Sequence, residues 1–479
     1  MDLEIEGFTL TGLSEMNVLL GKNGCGKSHL LKAVDIGLQG RPFGRRRYIT
    51  PQRGGLLRYE AGVDGNIASI PDWLSQSRRT NQLNQFREQS VTHYRLLELH
   101  TLREESKAAR AGHPLPQTFE AYIEKLNGLL DRVRLEPADR DFVIINKVNG
   151  AVVTAESISS GEAELITLAI EFLAFVKECD PAQPNVLLVD EPDVHLHPDL
   201  QDRLARFMVD IFAQEASLTV LLATHSTALL AALSAHTQVN VSFMREGQRE
   251  LRFRPVDDID RQILPIFGAH PLSNVFNQAP ILLIEGEDDE RIWQQARRSA
   301  GQRIRLYPCV VDSVDRLHGY EVEVNRLIEA VYDDAKAFSL RDSDGVEEEL
   351  DDVGYVKRMR LGCRAAENLM LSDDCLRKAG SDWEGLRAKI DDWLRGNATH
   401  PYHHAVRAFA DAGYDRKGHD LKDIRNILIS LISTKPWEVL VGQTIAKLVL
   451  EGGDLGDHSL RSYLEEKVCR ELLQLPEVA

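Results

Sequence analysis

Short apolar runs alternate with longer amphipathic stretches through the first half of the chain, and this order predicts an α/β fold. Leu3, Ile5 and Phe8 are interspersed with polar residues as in a half-buried strand, and 17–20 form a short apolar strand. Helical patterns occupy 27–38, 161–178 and most of 73–135. Apolar runs predict further strands at 142–145, 151–153, 186–189, 219–223, 239–243 and 251–254.

The pattern restarts in the second half of the chain. Residues 269–280 are rich in proline, asparagine and serine, which is typical of a boundary segment. Beyond them, apolar runs predict buried strands at 281–284 and 337–340, with a helical stretch after the first. We therefore predict two domains, spanning residues 1–275 and 276–479.

Composition and charge narrow the class of protein. The 479 residues are 43% hydrophobic and 27% charged, which is ordinary for a globular protein. With 57 basic and 74 acidic residues the net charge is −17, so the whole chain is not a polycation that coats nucleic acid. The six cysteines form no C-x-x-C pair, which favours reduced thiols. The longest apolar run, 165–176, is interrupted by Glu171 and is too short to span a membrane, and no secretory signal begins the chain. We expect a cytoplasmic protein.

Residues 21–28 read GKNGCGKS and fit the phosphate-binding pattern G-x-x-x-x-G-K-[ST]. The pattern follows an apolar strand and precedes a helix, which is the context that such a loop requires. Its glycines let backbone N–H groups converge on phosphate oxygens at a helix N-terminus. Lys27 is expected to reach the β- and γ-phosphates, and Ser28 to ligate Mg²⁺. The predicted ATP-binding residues of this loop are Asn23, Gly24, Gly26, Lys27 and Ser28.

A second pair of acids follows the apolar strand 186–189. Asp190 is expected to hold the hydrated Mg²⁺ of the nucleotide, and Glu191 to polarise the attacking water. Ser159 and Gly161, at the start of a predicted helix, would form another anion cradle. His225 follows the strand 219–223.

In this order the motifs resemble those of the ABC ATPases, a family that includes SMC and RecF proteins. The resemblance implies that 157–162 is the signature motif and that His225 contacts the γ-phosphate. It also implies a homodimer or a higher even-numbered oligomer, with ATP held between the ATPase domains of two copies. Gln52 is a candidate for the family's Q-loop glutamine, although Gln82, Gln85 or a plain solvated loop are alternatives. Transport is disfavoured, because nothing spans a membrane.

His195 and His197 stand two residues apart and invite a metal-site interpretation. We reject it as the first choice, because the surrounding E-P-x-x-x-L-H-P resembles the D-loop region of OLD- and RecF-like ATPases. There the segment shapes an interface.

Carboxylates are clustered after the predicted boundary. Glu285 ends the strand 281–284, and Asp289 lies one helical turn beyond it. Asp342 and Asp344 follow the strand 337–340, where alternation in an extended chain would put both on one side. Acids gathered at the ends of neighbouring strands repel each other unless a divalent cation is present, and oxygen ligands suit Mg²⁺ or Mn²⁺.

This arrangement resembles a Toprim domain, and an ABC-type ATPase followed by an α/β Toprim domain with a helical C-terminal region resembles the OLD (overcoming lysogenization defect) family. The resemblance implies that Glu367, in an R-x-x-E-N segment, is a further metal ligand. It also implies a catalytic lysine, for which Lys435 is the first candidate and Lys417 a rival. Many OLD proteins are phage-defence nucleases, yet the dimerisation insert and the Toprim region are short here.

The resemblance implies two metal ions, and each of the five candidate acids would ligate at least one of them. Glu285, Asp289 and Asp342 would hold one ion, and Asp342, Asp344 and Glu367 the other. Positive charge for binding DNA could come from 45–47 or from Lys357, Arg358, Arg360 and Arg364, and either group could equally be solvated surface. Within the acidic run 333–352, residues 347–349 are better interpreted as a solvated helix face.

The leading hypothesis is therefore an ATP-dependent, Mg²⁺- or Mn²⁺-dependent endonuclease that acts on nucleic acid, with DNA favoured as the substrate, in anti-phage defence. One alternative is an ATPase sensor or scaffold whose second domain is inactive or holds a co-encoded partner. Another is a Toprim ribonuclease that acts on RNA or tRNA, since both nucleic acids offer the same phosphodiester.

Overall fold

The computed structural model describes residues 2–79, 85–113, 117–213, 217–257, 260, 280–311, 314–332, 335–346, 350–453 and 455–476. The chain divides into two compact units, Met1–Pro271 and Leu272–Ala479. The boundary predicted near residue 275 lies outside the described residues. Each unit is taken by itself below.

The first unit is built on a six-stranded sheet in the order β12–β10–β3–β9–β8–β4. Its strands are β3 (Met16–Gly21), β4 (Arg46–Ile49), β8 (Asn185–Asp190), β9 (Leu218–Thr224), β10 (Asn240–Met244) and β12 (Arg254–Pro255). All neighbours are parallel except β12, which runs antiparallel to β10. The strands β3, β8 and β9 are buried along nearly their whole length, which is why they are continuous apolar runs in the sequence.

Helices pack around this sheet. They are α1 (Lys27–Gly37), α2 (Ala61–Ser69), α3 (Trp73–Arg79), α4 (Phe86–Ala111), α5 (Phe119–Leu129), α6 (Ser160–Glu178), α7 (Pro198–Phe212) and α8 (Thr227–His236). Of these, α1 follows β3 directly and α6 is buried along most of its length. Among the described residues, no helix is both long enough and apolar enough to cross a membrane.

Two small sheets complete the first unit. One joins β1 (Leu3–Ile5), β2 (Phe8–Thr11) and β11 (Glu250–Arg252), and the other joins β5 (Val133–Pro137), β6 (Phe142–Asn146) and β7 (Val152–Val153). The predicted pairing of 142–145 with 151–153 is present as an antiparallel ladder. The predicted helical stretch is wrong at its end, because Val133 and Leu135 alternate as buried residues of β5 and pair with β6.

A network of buried ions ties α6 to its neighbours. The Glu171 carboxylate, which is fully buried, accepts hydrogen bonds from Arg78 at 2.8 and 2.9 Å and from His93 Nδ1 at 2.8 Å. Arg47 donates to the same carboxylate at 3.3 Å and to Glu178 at 2.9 Å. The acid that interrupts the apolar run is therefore the centre of the contacts among α3, α4, α6 and β4.

The second unit has a four-stranded, fully parallel sheet in the order β14–β13–β15–β16. Its strands are β13 (Ile281–Ile284), β14 (Tyr307–Val310), β15 (Ala337–Arg341) and β16 (Val356–Arg360). The α-helices are α9 (Glu287–Ala300), α10 (Val314–Val331), α11 (Asp373–Lys378), α12 (Trp383–Gly396), α13 (His403–Asp411), α14 (Arg425–Ser430), α15 (Trp437–Glu451), α16 (Leu460–Leu464) and α17 (Glu466–Glu471). Short 3₁₀ helices span Gly301–Arg303 and Ala366–Leu371.

The helices α9 and α15 pack closely at the core of this unit. Trp293 on α9 and Trp437 on α15 are both buried. Gly442 of α15 faces α9, and a Cβ built there would lie 2.6 Å from the Ile292 carbonyl oxygen. A glycine at 442 is thus what permits the close approach of the helix that carries Asp289.

Candidate active sites

The phosphate-binding loop lies between β3 and α1. Gly24 and Gly26 have φ angles of 83° and 106°, which L-residues with a side chain rarely adopt, and Gly26 caps α1. Lys27 is 4% exposed, and its ammonium donates to the carbonyls of Gly21 at 2.8 Å and Lys22 at 3.0 Å. Asn23 and Gly24 are exposed on the outside of the loop. The backbone therefore forms an open concave turn with its cation held at the base.

Asp190 stands at the end of β8 and is buried. Its Oδ2 accepts a hydrogen bond from the Tyr48 hydroxyl at 2.8 Å, whereas its buried Oδ1 has no hydrogen-bond partner among the described residues. Burial raises the pKa of this carboxyl, and the neighbouring hydroxyls of Ser28 and Tyr48 oppose the rise. A carboxylate oxygen without a partner beside a serine hydroxyl fits the Mg²⁺ of a bound nucleotide.

Glu191 and His225 complete this site. The strand β9 lies between β3 and β8, so the residue after it emerges between the loop and Asp190. Glu191 Oε1 lies 3.9 Å from both Lys27 Nζ and His225 Nδ1, and His225 Nδ1 lies 3.7 Å from Asp193. Glu191 has a φ of 46°, a backbone conformation that non-glycine residues adopt mainly at turns and functional sites.

Arg53, which the sequence analysis did not single out, holds this edge of the site together. Its guanidinium forms a buried ion pair with Glu164 and donates to the carbonyls of Thr50, Asp190 and Glu191. The adjacent Gln52 is exposed after β4. The only hint in the sequence was a cation beside the candidate glutamine, and its acidic partner is 111 positions away.

Ser159 and Gly161 lie at the start of α6. Ser159 is the N-cap and shares reciprocal hydrogen bonds with Glu162, from the Glu162 N–H at 3.3 Å and to its carboxylate at 2.6 Å. Gly161 packs beside Leu200 and the carbonyl of His195. His195 is exposed, and His197, the N-cap of α7, lies 3.7 Å from Asp199.

The carboxylate cluster of the second unit is assembled by three segments. Glu285 follows β13, and Asp289 lies in the first turn of α9. Asp342 follows β15, and its Oδ1 accepts the Ala366 N–H at 3.1 Å at the start of the 3₁₀ turn that carries Glu367. Asp344 has a φ of 47°, so the extended alternation predicted for 342–344 ends here. The backbone N–H of Asp344 instead donates to the Arg364 carbonyl at 3.0 Å.

Burial and repulsion by neighbouring acids raise the pKa values of Glu285, Asp289 and Asp342. The pKa of Asp289 rises to about 7 through burial and then through Glu285 and Glu367. The pKa of Asp342 rises to about 9 through burial and then through Asp289, Glu285, Glu367 and Asp344. The pKa of Glu285 is also raised, by burial and by Asp344. Carboxylates are the kind of ligand that Mg²⁺ and Mn²⁺ prefer, although no set of three described His, Cys, Asp or Glu side chains is gathered as a ready ligand shell.

Arg425 on α14 faces this cluster and was missed by the sequence analysis. Its guanidinium lies 3.5 Å from Glu367 and 3.1 Å from Asp288. Lys435 is exposed and donates to Gln443 at 3.0 Å, and Lys417 donates to Ser462. The ammonium groups of both lysines thus donate to residues outside the carboxylate cluster.

Several cations expected to contact DNA are held by acids instead. Arg47 is buried against Glu171 and Glu178, and Arg46 pairs with Asp35 at 3.1 Å. Arg358 pairs with the buried Glu321 at 3.1 Å, and Lys357 pairs with Asp352 at 2.7 Å. The expectation of a basic patch at 45–47 is wrong for Arg47, because its guanidinium is buried and paired with Glu171 and Glu178. Of the acidic run, residues 333–334 and 347–349 lie outside the described part of the chain, as does Gln82.

Comparison with known proteins bears on the first unit. Residues 76–231 match the family model described as "AAA domain, putative AbiEii toxin, Type IV TA system". This range contains Asp190, Glu191 and His225 but not the loop at 21–28. No curated protein matches the chain.

Three solved structures are similar to part of the chain. An Smc head bound to the C-terminal winged-helix domain of ScpA is 16% identical with a TM-score of 0.33, covering 53% of this chain and 97% of that one. The SMC head domain from Thermotoga maritima is 14% identical with a TM-score of 0.29, covering 53% and 97%. A putative metal-chelate type ABC transporter is 18% identical with a TM-score of 0.27, covering 55% and 81%. With the family match and the assembled site, the first unit is an α/β P-loop ATPase domain.

Proposed function

We propose that the chain is an ABC-type ATPase whose second unit is a Toprim-like, metal-dependent endonuclease controlled by ATP. One observation carries the nuclease part: acids from three segments of the second unit lie near one another, so that the pKa values of Glu285, Asp289 and Asp342 are raised, with Asp344 and Glu367 among the causes. Such convergence of acids is costly for folding, and a phosphodiesterase site gives it a use.

In the ATPase, each residue of the assembled site has a task. Lys27 and the loop's N–H groups bind the β- and γ-phosphates, and Ser28 and Asp190 would hold the nucleotide's Mg²⁺. Glu191 would orient and polarise the attacking water. His225, whose Nδ1 lies 3.9 Å from Glu191 Oε1, would contact the γ-phosphate. Tyr48 and Arg53 position Asp190 and Glu191 by hydrogen bonds to the side chain of one and the backbone of both.

The signature motif is proposed to act on a second copy. The start of α6 is exposed at Ser159 and Ser160, and its N–H groups present positive potential to an anion. A homodimer would place this helix end on the ATP held by the partner, and a higher even-numbered oligomer would repeat that contact.

In the nuclease, the carboxylates would hold two divalent ions. Glu285, Asp289 and Asp342 are proposed for one Mg²⁺ or Mn²⁺, and Asp342, Asp344 and Glu367 for the other. Such ions supply polarisation of the scissile phosphate and of the attacking water. Arg425 stands beside Glu367 and offers a fixed positive charge where negative charge builds on the phosphate, a role that Lys435 was predicted to fill.

DNA is the favoured substrate, with RNA or tRNA as the alternative, because the metals would act on a phosphodiester common to both. We propose a role in anti-phage defence, as the resemblance to OLD proteins implies, with room for a co-encoded component. The matched family's description as a putative toxin of a type IV toxin–antitoxin system supports a role of this kind.

A second candidate function is an ATPase sensor or scaffold without nuclease activity. It is favoured by the absence of a gathered three-ligand set among the described residues and by the ion pair of Arg425 with Glu367. A cation already seated on a proposed metal ligand competes with the metal.

Cleavage of supercoiled plasmid by the purified chain separates these candidates. We expect nicking that requires Mg²⁺ or Mn²⁺, responds to ATP and disappears in the Asp342→Asn/Asp344→Asn variant, which preserves the size of both side chains. ATP hydrolysis measured in parallel should persist in this variant and disappear in Lys27→Ala. Hydrolysis without any cleavage of DNA or RNA would move the assignment to the sensor.

A further inference from the structure

A cavity of about 340 Å³ opens in the second unit beside the carboxylate cluster. Its wall is formed by the loop after β15, the end of β16, the segments 361–364 and 417–418, and the start of α17. Such a volume lies in the range of natural small-ligand sites. We call it the basic pocket, for the charges that follow.

Cations dominate the wall of the basic pocket. Its charged members are Arg358, Arg360, Arg364, Lys417, Lys467 and one acid, Glu465. Glu321 neutralises Arg358, and Asp352 lies 3.2 Å from Lys467.

Lys417 and Arg364 form no ion pair with an acid in the part of the chain that the structure describes. Lys417 donates to the hydroxyl and carbonyl of Ser462, which carry no charge, and Arg360 donates to the Val346 carbonyl at 3.0 Å. Arg364 is half-buried and forms no ion pair with any residue that the structure describes. A half-buried guanidinium without an acid partner is a favourable site for an anion.

The basic pocket and the carboxylate cluster share a wall. Arg364 lines the pocket, and its carbonyl accepts the N–H of Asp344 at 3.0 Å. Two residues on, the N–H of Ala366 donates to Asp342 at 3.1 Å. The buried thiol of Cys363, the residue before Arg364, is influenced from both sides. Burial and Asp342 raise its pKa, and Lys417 opposes the rise. The segment 363–366 thus has the cluster on one side and the pocket on the other.

We propose that the basic pocket binds a phosphate group of a nucleic-acid strand, next to the phosphodiester that faces the carboxylate cluster. The inference rests on the proposed nuclease function and names where its substrate is held. A chain of net charge −17 with a cluster of acids repels a polyanion, so binding requires a local cationic surface. The basic pocket supplies that surface at the edge of the cluster.

Arg364→Gln tests the proposal in the full chain by fluorescence anisotropy of a labelled 20-nucleotide single strand. EDTA is present, so that binding is measured without cleavage. We expect Arg364→Gln to weaken binding at least fivefold at 0.1 M salt and to lower the slope of log K against log [salt] by about 0.7. The matched control is Arg395→Gln, the same substitution at a residue whose side chain is 76% exposed and pairs with Asp392, and its affinity should stay unchanged.

A second variant guards against misfolding. Lys467 lies at the pocket, its side chain is 32% exposed, and Lys467→Gln should weaken binding in the same direction while the circular dichroism spectrum stays unchanged. Equal affinity of the wild type, Arg364→Gln and Lys467→Gln would overturn the proposal, as would a wild type that binds no strand. Displacement of the strand by a 5′-nucleoside monophosphate, dependent on Arg364, would also overturn it in favour of a mononucleotide site.

The same measurements separate this inference from the nuclease assignment. Asp342→Asn/Asp344→Asn removes two acids beside the pocket and adds no negative charge, so it should bind the strand at least as tightly as the wild type. Loss of affinity in Arg364→Gln without any cleavage by the wild type would support the basic pocket and refute the nuclease. Cleavage by the wild type with unchanged affinity in Arg364→Gln would do the reverse.

Discussion

Arg425 and Lys435 are alternative candidates for the cation that neutralises the charge on the scissile phosphate at the carboxylate cluster. The guanidinium of Arg425 lies 3.5 Å from Glu367, whereas the ammonium of Lys435 is exposed and donates to Gln443. Under the proposed function, Arg425→Gln should therefore reduce the initial rate of plasmid nicking at least tenfold. Lys435→Gln, which removes the same charge, should leave the rate within about twofold. The opposite ranking would restore Lys435 to the role that the family resemblance gives it.

Individual site residues show what a local sequence motif can and cannot predict. Lys27, Ser28 and Asp190 could be predicted because their motifs are contiguous and follow apolar strands. Arg425 could not, because its partners Glu367 and Asp288 are 58 and 137 positions away. Nothing in a linear pattern marks which arginine of the helical region folds back onto an acid.

At the scale of the element, the sequence predicted the burial of α6 but not the ion pairs that its buried acid forms. Its apolar run predicted a buried helix, and Glu171 looked like an interruption. Only the packing of α3, α4 and β4 onto it supplies Arg78, His93 and Arg47 as partners. The prediction failed at β5 for a different reason. Val133 and Leu135 alternate with polar residues as in a strand, but they follow a charged, helix-like stretch that was extended over them.

The network around Glu171 makes stability depend on pH. Burial lowers the pKa of His93, outweighing the pull of Glu171, so the folded state keeps this ring neutral. Burial alone would raise the pKa of Glu171, but Arg78, His93 and Arg47 hold it well below its usual range. Acid therefore costs stability twice: through His93 as the pH falls below about 6.5, and through Glu171 below about 4.5.

The His93 contribution can be isolated with His93→Asn, whose amide N–H replaces the donor at Nδ1 but does not titrate. We expect the free energy of unfolding of the full wild-type chain, measured in urea, to fall between pH 7 and pH 5. This one ring contributes at most about 1.4 kcal/mol per pH unit to the fall. The variant should show a shallower fall over the same window. Identical pH slopes in the two proteins would contradict the neutral, buried state of His93.

The close contact of α9 with α15 gives a second prediction at this scale. In Gly442→Ala the new Cβ would meet the Ile292 carbonyl at 2.6 Å, so a helix must move. We expect a loss of about 1–3 kcal/mol in the free energy of unfolding, measured by urea denaturation of the full chain. Gly396→Ala is the matched control, because Gly396 ends α12 and a Cβ there meets nothing within 4 Å. A Gly442→Ala variant as stable as this control would contradict the tight packing.

At the scale of the whole molecule, the α/β character and a P-loop ATPase domain could be predicted, because parallel buried strands are nearly continuous apolar runs. What the second unit does is less determined by its sequence. Its acids could be listed, yet their convergence depends on the order β14–β13–β15–β16, and the left-handed turn at Asp344 could not be foreseen from alternation.

The exposed start of α6 leads to a prediction about assembly. Glu191→Gln should bind ATP without hydrolysing it, and we expect light scattering after size exclusion to give twice the monomer mass with Mg²⁺–ATP and less without nucleotide. Adding Ser160→Glu places a carboxylate where the partner's phosphates would lie, so it should abolish the ATP-dependent dimer. A monomer under every condition would contradict the shared nucleotide site, and Lys27→Ala serves as the control that lacks ATP binding.

The strand order of the first sheet determines how much of the chain must be translated before the ATP site can form. In β3, Asn17 pairs with Leu221 of β9 and with Asn240 of β10, so the strand before the phosphate-binding loop lacks both neighbours until more than 200 further residues have been translated. At roughly 5–20 residues per second this takes about 10–40 s or longer. A ribosome-bound chain stalled before residue 218 should accordingly be unable to retain ATP, which leaves the nascent protein inert until its first unit is almost completely made.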